Sequence, residues 1–113
     1  MSSVMFDTRL FEFQELLKTM NIRTFFQPII SLKDGSVLGY EALSRGPACS
    51  SFESAAALFS AGRSYGKSWE LEQVCRKRAI ERFQSLSISC KLFLNVDPNA
   101  VSYTHLTLPT NRE

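Results

Sequence analysis

A carboxylate and a guanidinium stand four residues apart in the segment DGSVLGYEALSRGP, as Glu41 and Arg45. Because side chains alternate between the two faces of a strand, Glu41, Leu43 and Arg45 are predicted to share one face. A carboxylate is a hard oxygen ligand for Mg²⁺ or Mn²⁺, and a guanidinium forms bidentate contacts with phosphate. Leu43 would be an apolar wall between them. The same two charges would also suit a solvent-exposed strand surface, so both interpretations stay open.

Asn95 is a second candidate metal ligand, because its amide oxygen comes late in the strand-like run KLFLNVDP. In that run Leu92, Leu94 and Val96 are predicted to share one face, with Asn95 on the other. An asparagine just before Asp-Pro is equally typical of a turn. The residue type alone therefore leaves a ligand and a turn former as alternatives.

Gln27 can join Glu41 only in one register of the predicted hairpin. A three-residue loop at 33–35, with Gly35 in the left-handed conformation, places Gln27 opposite Glu41. A two-residue Asp-Gly turn would place Gln27 opposite Ala42 instead, because a slip of one residue turns every side chain to the other face. Gln27 could otherwise be only a polar residue of an edge strand, since it precedes a proline.

The elements that position these residues follow from hydrophobic periodicity. Helices are predicted at about 7–20, 51–62 and 68–86. Their N-termini are assigned to Asp7, to a Ser50–Glu53 capping box and to Ser68. Glu72 and Arg76 are expected on the solvent face of the third helix. Strands are predicted in RTFFQPIISL, SVLGYEALSR and KLFLNVDP, and a strand that follows two helices should pair in parallel.

The composition is that of a globular domain, or a piece of one, with 113 residues of which 44% are hydrophobic. A net charge of +2 is too small to indicate a nucleic-acid polymer or an anionic membrane as partner. No apolar run approaches the roughly 20 residues of a membrane span, and no signal peptide is evident. Three cysteines without Cys-x-x-Cys spacing indicate reduced, buried or half-buried thiols in a cytoplasmic protein.

Three sequence blocks together resemble the EAL domain family, the cyclic di-GMP phosphodiesterases of bacteria. The blocks are FFQPIISLKDGSVLGYEALSRGP, WELEQVCRKRAIERF and LFLNVDP, in the family's order and at its usual intervals. The resemblance divides the chain into an N-terminal helix at 1–20, the N-terminal part of an EAL domain at 21–100, and a tail at 101–113. It implies an α/β fold, an incomplete TIM-barrel-like EAL domain that opens with an antiparallel β-hairpin.

The resemblance also implies an activity, the hydrolysis of one phosphodiester bond of cyclic di-GMP to give linear pGpG. Two divalent cations, Mg²⁺ or Mn²⁺, would assist that hydrolysis in the complete domain. Glu41 matches the catalytic, metal-binding glutamate of the motif, and Asn95 matches a second metal ligand. Arg45 matches the arginine at the substrate phosphate, whereas Gln27 and Leu43 match positions of the substrate pocket.

Much of the family's active site has no counterpart in this sequence, including the later acidic ligands, the paired aspartates and the lysine near the catalytic water. The chain is therefore expected to be an inactive and poorly soluble fragment of a longer phosphodiesterase. The alternative is a degenerate parent domain that binds cyclic di-GMP, or other proteins, without hydrolysis. The expected partner is cyclic di-GMP, with no nucleic-acid polymer and no membrane, and the parent could be a homodimer.

The tail from Val101 has no helical stripe and resembles a translated sequencing adapter of the transposase type. The codons GTC TCT TAT ACA CAT CTG ACG CTG CCG ACG encode all ten residues from Val101 to Thr110. Residues 101–113 are therefore expected to be non-native, and the sole histidine, His105, is given no catalytic role.

The nucleotide sequence of the gene tests the origin of this tail. Read-through of an adapter predicts the adapter's own codon at every position from Val101 to Thr110. Sequencing the template decides the matter, because synonymous codons that depart from the adapter would show a natural coding origin.

Overall fold

The computed structural model describes residues 7–95, which form three helices and three strands. In chain order these are α1 (Thr8–Thr19), β1 (Arg23–Ile30), β2 (Val37–Arg45), α2 (Ala55–Ser64), α3 (Ser68–Ser85) and β3 (Lys91–Phe93). This order of helices and strands agrees with the order predicted from the sequence. The tail with His105, and Val96 of the predicted third strand, lie outside the described residues. Within 7–95, no helix combines the length and apolar character that crossing a bilayer requires.

The start of α1 is as predicted, and the start of α2 is not. The Asp7 carboxylate accepts a hydrogen bond from the Leu10 N–H at 3.0 Å and caps α1. The capping box at Ser50 is wrong, because the Ser50 hydroxyl donates to the Pro47 carbonyl at 2.7 Å within a turn. Ser54 caps α2 instead, and the helix begins four residues later than the predicted start.

The predicted solvent face of α3 is also corrected. Ser68 is the first residue of the helix and does not cap it; the N-cap is Lys67, whose side chain makes no capping hydrogen bond. Glu72 is only 7% exposed, and Arg76 is half-buried. Both side chains line a cavity between α2, α3 and the sheet. Because α3 packs against two partners, its buried arc is wider than a single apolar stripe indicates.

The sheet has the order β1–β2–β3, with β1 antiparallel to β2 and β2 parallel to β3. Gln27 lies opposite Glu41, which confirms the register required for the two side chains to meet. Pro28 is exposed in β1, an edge strand of the described sheet, where its missing N–H breaks no ladder bond on the outer side.

The hairpin reaches this register by a different loop from the predicted one. The Ser31 N–H donates to the Ser36 carbonyl at 2.8 Å, so residues 32–35 form a four-residue loop. Gly35 has the expected left-handed conformation, with φ of 76°. The longer loop shifts the pairing by one residue, and a β-bulge at Leu38 of β2 shifts it back.

One face of the sheet is attached to the helices, and the other is left open within the described residues. Phe83 of α3 lies 5.5 Å from Phe26 and 6.3 Å from Tyr40, measured between ring centroids. The helices share a core in which Phe13 and Phe52 meet edge to face at 5.3 Å. This packing holds β1 and β2 from one side and leaves their opposite side chains free for a ligand.

Two leucine variants test the position of the core. Leu58 of α2 is 0% exposed in the core, whereas Leu32 in the hairpin loop is fully exposed. Leu58→Ala is expected to lower the free energy of unfolding by about 2–5 kcal/mol, because it leaves a cavity. Leu32→Ala, the matched control, should change it by less than about 0.5 kcal/mol. Urea denaturation followed by Trp69 fluorescence measures both, and equal losses would contradict this core.

Candidate functional site

Glu41, Leu43 and Arg45 lie on the face of the sheet that the helices do not cover. The alternate side chains of β2 point the other way, since Tyr40 packs on α3 and Ala42 is 8% exposed beneath the helices. The strand alternation predicted from the sequence is therefore present. We call the surface that carries Gln27, Glu41, Leu43 and Arg45 the open face.

Glu41 occupies the central strand of the open face. Its Cα is paired with that of Gln27 in β1 on one side and with that of Phe93 in β3 on the other. Glu41 is half-buried and Gln27 is exposed. A carboxylate beside a side-chain amide can offer oxygen ligands to a cation and hydrogen bonds to a polar ligand.

Arg45 stands at the end of β2, beside an apolar surface. Its guanidinium carbon lies 5.6 Å from the centroid of the Phe25 ring, within the range of a cation–π contact. Phe25 pairs with Leu43 across the hairpin, so an aromatic and an aliphatic side chain separate the guanidinium from Glu41. This arrangement offers a cation, an apolar wall and a carboxylate in sequence along one strand.

Asn95 is placed apart from these four residues. It is exposed, two residues beyond the end of β3, and it lines a cavity of about 320 Å³ with Ala42 and Ser44. Those two side chains belong to the helix-covered side of β2, so we call this space the helix-side cavity. β3 ends at Phe93, so Asn95 lies outside regular strand geometry.

The open face supplies part of the ligand set that a divalent cation requires. Among residues 7–95, no three His, Cys, Asp or Glu side chains come together as a metal-binding group. The Glu41 carboxylate, with the Gln27 amide opposite it, has the hard oxygen chemistry that Mg²⁺ or Mn²⁺ prefers. Since such cations take about six oxygen ligands, the remaining donors must come from water, substrate or another part of the protein.

Arg23 is a candidate that the sequence interpretation missed. Its Cα is the partner of Arg45 across β1 and β2. Both arginines line a cleft of about 500 Å³ at this end of the hairpin, with Ser50, Ser51, Glu53 and Ser54. We call this space the arginine cleft. The predicted hairpin register could have identified Arg23, because the register that pairs Gln27 with Glu41 also pairs Arg23 with Arg45.

Gly46 connects β2 to the loop that forms the far wall of the arginine cleft. The Gly46 N–H donates to the Phe52 carbonyl at 2.9 Å. A Cβ at this position would lie only 2.1 Å from that carbonyl oxygen, so the close approach requires glycine. Phe52 is fully buried, and this contact therefore ties the cleft to the core.

The chain is similar to known proteins in sequence pattern and in fold. The family model described as EAL domain matches residues 11–107, a range that extends into the tail. A solved structure of Vibrio cholerae LapD, comprising the S helix, GGDEF and EAL and bound to c-di-GMP, matches with a TM-score of 0.67. The two sequences are 14% identical over 92% of this chain and 26% of that chain, so the likeness concerns the fold. The search of curated proteins gave no match.

The helix-side cavity contains Cys75, whose thiol should resist modification. Burial is the main cause that raises the pKa of Cys75 from 9.0 to about 11; the Ser44 side chain opposes this rise and Glu72 adds to it. The folded state therefore favours the neutral thiol, and this contribution to stability is lost as the pH rises from 9.0 through about 11. Cys49 and Cys90 are exposed, contrary to the expectation that all three cysteines are at least half-buried.

We expect a disulfide reagent at pH 8 to modify Cys49 and Cys90 quickly and Cys75 only after denaturation, because the thiolate is the nucleophile. Mass spectrometry of the modified chain measures the sites, and the Cys49→Ser/Cys90→Ser variant isolates Cys75. Rapid reaction of Cys75 in the folded double variant would contradict its burial.

Proposed function

The chain belongs to the EAL domain family, and we propose that it is the N-terminal part of a phosphodiesterase that hydrolyses cyclic di-GMP to linear pGpG. The observation that carries this proposal is the meeting of Glu41 with Gln27 on the open face, with Arg45 further along the same strand face. A carboxylate that binds a cation and a guanidinium that binds a phosphate are two of the groups that metal-assisted phosphodiester hydrolysis can use.

Each of the five candidate residues has a task in this proposal. The Glu41 carboxylate would hold a cation on the open face. The Asn95 amide oxygen would be a second metal ligand in the complete domain, although in the described residues Asn95 lies apart from the open face, beside the helix-side cavity. Arg45 would bind the scissile phosphodiester group by a bidentate contact. Gln27 and Leu43 would form the polar and apolar sides of the substrate pocket. When bound, Mg²⁺ or Mn²⁺ would lower the pKa of the attacking water and would neutralise negative charge on the phosphate.

The described residues hold only part of such a site. A complete TIM barrel has eight strands in roughly 250 residues, whereas residues 7–95 form three strands. We propose that the remaining ligands and the lysine near the catalytic water belong to a longer parent, and that the 113-residue chain alone is inactive. The open face, and the strand edges that have no partner within residues 7–95, would make it poorly soluble.

The parent, in this proposal, acts in the cytoplasm on a small cyclic dinucleotide rather than on a nucleic-acid polymer or a membrane. It could be a homodimer. A net charge of +2 does not indicate an extended polyanion as the partner.

A binding module is the second candidate function. The solved structure that this fold matches was obtained with c-di-GMP bound, and Glu41 is the only carboxylate among the five candidate residues. A domain that keeps Arg45, Gln27 and Leu43 but lacks the further acidic ligands would bind the dinucleotide without hydrolysing it. The two functions differ in turnover, not in the ligand.

Glu41→Gln in the full-length gene product separates the two candidates. In an enzyme, hydrolysis of cyclic di-GMP should fall by at least about a hundredfold, because the amide is a weaker ligand for a hard cation. Binding of cyclic di-GMP in the presence of EDTA should change little. Separation of pGpG from cyclic di-GMP by chromatography measures turnover, and calorimetry measures binding.

Glu12→Gln is the matched control, since Glu12 is exposed on α1, and its turnover should be unchanged. A wild-type protein that binds cyclic di-GMP with no turnover in Mg²⁺ or Mn²⁺ would support the binding module. Absence of binding would overturn both candidates. The purified 113-residue chain is expected to give no pGpG, and turnover by it would contradict the proposed fragment.

A further inference from the structure

Two positively charged side chains converge on one aromatic ring at the end of the β1–β2 hairpin. The guanidinium carbons of Arg23 and Arg45 lie 5.5 Å and 5.6 Å from the centroid of the Phe25 ring. The two residues are direct cross-strand partners, so their side chains leave the same face of the sheet. Like charges placed directly opposite each other destabilise a sheet unless an anion lies between them.

The Arg23 guanidinium is fixed through its Nε atom, and its two Nη groups remain available to a ligand. Its Nε–H donates to the Gly46 carbonyl at 2.7 Å, in a partly buried contact. Within the described residues, no hydrogen bond or ion pair is formed by the terminal Nη groups of Arg23 or by the guanidinium of Arg45. A guanidinium anchored through Nε keeps four N–H donors available in a fixed plane.

The described residues around the two arginines do not neutralise this charge. Glu53 is the only carboxylate among the described residues that line the arginine cleft. Its Oε1 accepts a hydrogen bond from the Cys49 N–H at 3.2 Å, and neither arginine forms an ion pair with it within the described residues. Two guanidinium groups against one carboxylate leave the cleft with a net positive charge.

The cleft lies at the end of the sheet where the parallel strands terminate. β2 ends at Arg45, and β1, which runs the other way, begins there at Arg23. Active sites of barrels with parallel strands are built at the carboxyl ends of those strands. Ser50, Ser51 and Ser54 line the facing wall. The Ser50 hydroxyl already donates to the Pro47 carbonyl, and the Ser54 oxygen accepts the capping bond from the Ala57 N–H.

We propose that Arg23 is a second substrate-binding residue, which clamps together with Arg45 one phosphodiester group of the cyclic dinucleotide. The inference rests on the proposed function for its ligand, and on the arginine cleft for the site. Arg45 binds one edge of the phosphate, and the Nη groups of Arg23 bind the other. A bridging anion removes the repulsion between the guanidinium groups, so each arginine strengthens the contact of the other.

A double-mutant cycle in the full-length gene product tests this clamp. Arg23→Gln should weaken binding of cyclic di-GMP by about tenfold to a hundredfold, the range of a hydrogen bond to a charged group. Arg23→Lys keeps the positive charge and should therefore lose less affinity for cyclic di-GMP than Arg23→Gln. The double variant, with Arg23→Gln and Arg45→Gln, should lose less affinity than the product of the two single fold-losses. The reason is that both arginines contact one phosphate.

Lys77→Gln on the exposed side of α3 is the matched control for the loss of one positive charge, and its affinity should equal that of the wild type. Calorimetry gives the affinities and thermal denaturation reports folding. If Arg23→Lys and Arg23→Gln lose the same affinity, and the double variant loses the full product of the single effects, Arg23 only positions the strand through its Nε contact to Gly46, and the clamp is wrong. Unchanged affinity in Arg23→Gln would also overturn it, while the proposed function would stand.

A second probe separates the two proposals. Inorganic phosphate is titrated into the wild type, and the arginine side-chain NMR signals are followed. Phosphate binding that depends on both arginines, without binding of cyclic di-GMP, would support the anion clamp and overturn the proposed function. Absence of any phosphate response together with absence of cyclic di-GMP binding would overturn both.

Discussion

The register between β1 and β2 is the constraint on which the candidate site depends. Pairing of Gln27 with Glu41 places both side chains on the open face, and the same register places Arg23 beside Arg45. A slip of one residue would turn the side chains of one strand under the helices. A four-residue loop together with a bulge at Leu38 produces this register, so two local irregularities combine to give the regular pairing of the site.

The helices determine which face of this hairpin remains available. Phe83 packs against the half-buried rings of Phe26 and Tyr40. Complete burial of a large apolar side chain contributes about 1.5–3 kcal/mol, so each half-buried ring contributes only part of that stabilisation. Because the apolar side chains of alternate residues are used in this contact, their neighbours in sequence must face outward. The polar residues of the site are thus exposed by the same packing that stabilises the sheet.

The errors of the sequence interpretation have a common physical cause. Ser50 and Glu53 have the spacing of a capping box, but the Ser50 hydroxyl bonds to Pro47 and Ser54 caps the helix. Glu72 has the spacing of a solvent-exposed charge, yet it is buried because α3 packs on α2 and on the sheet together. Local patterns describe one element at a time, and these residues respond to a second or third neighbour.

The sequence by itself determined the kinds and order of the helices and strands, the alternation that puts Glu41, Leu43 and Arg45 on one face, and the family. These depend on periodicity and residue type, which short stretches contain completely. Only the tertiary structure decided that Arg23 joins Arg45 over Phe25, and that Asn95 lies beside the helix-side cavity. Contacts between residues far apart in the chain depend on loop conformation and packing, whose free energies no single segment contains.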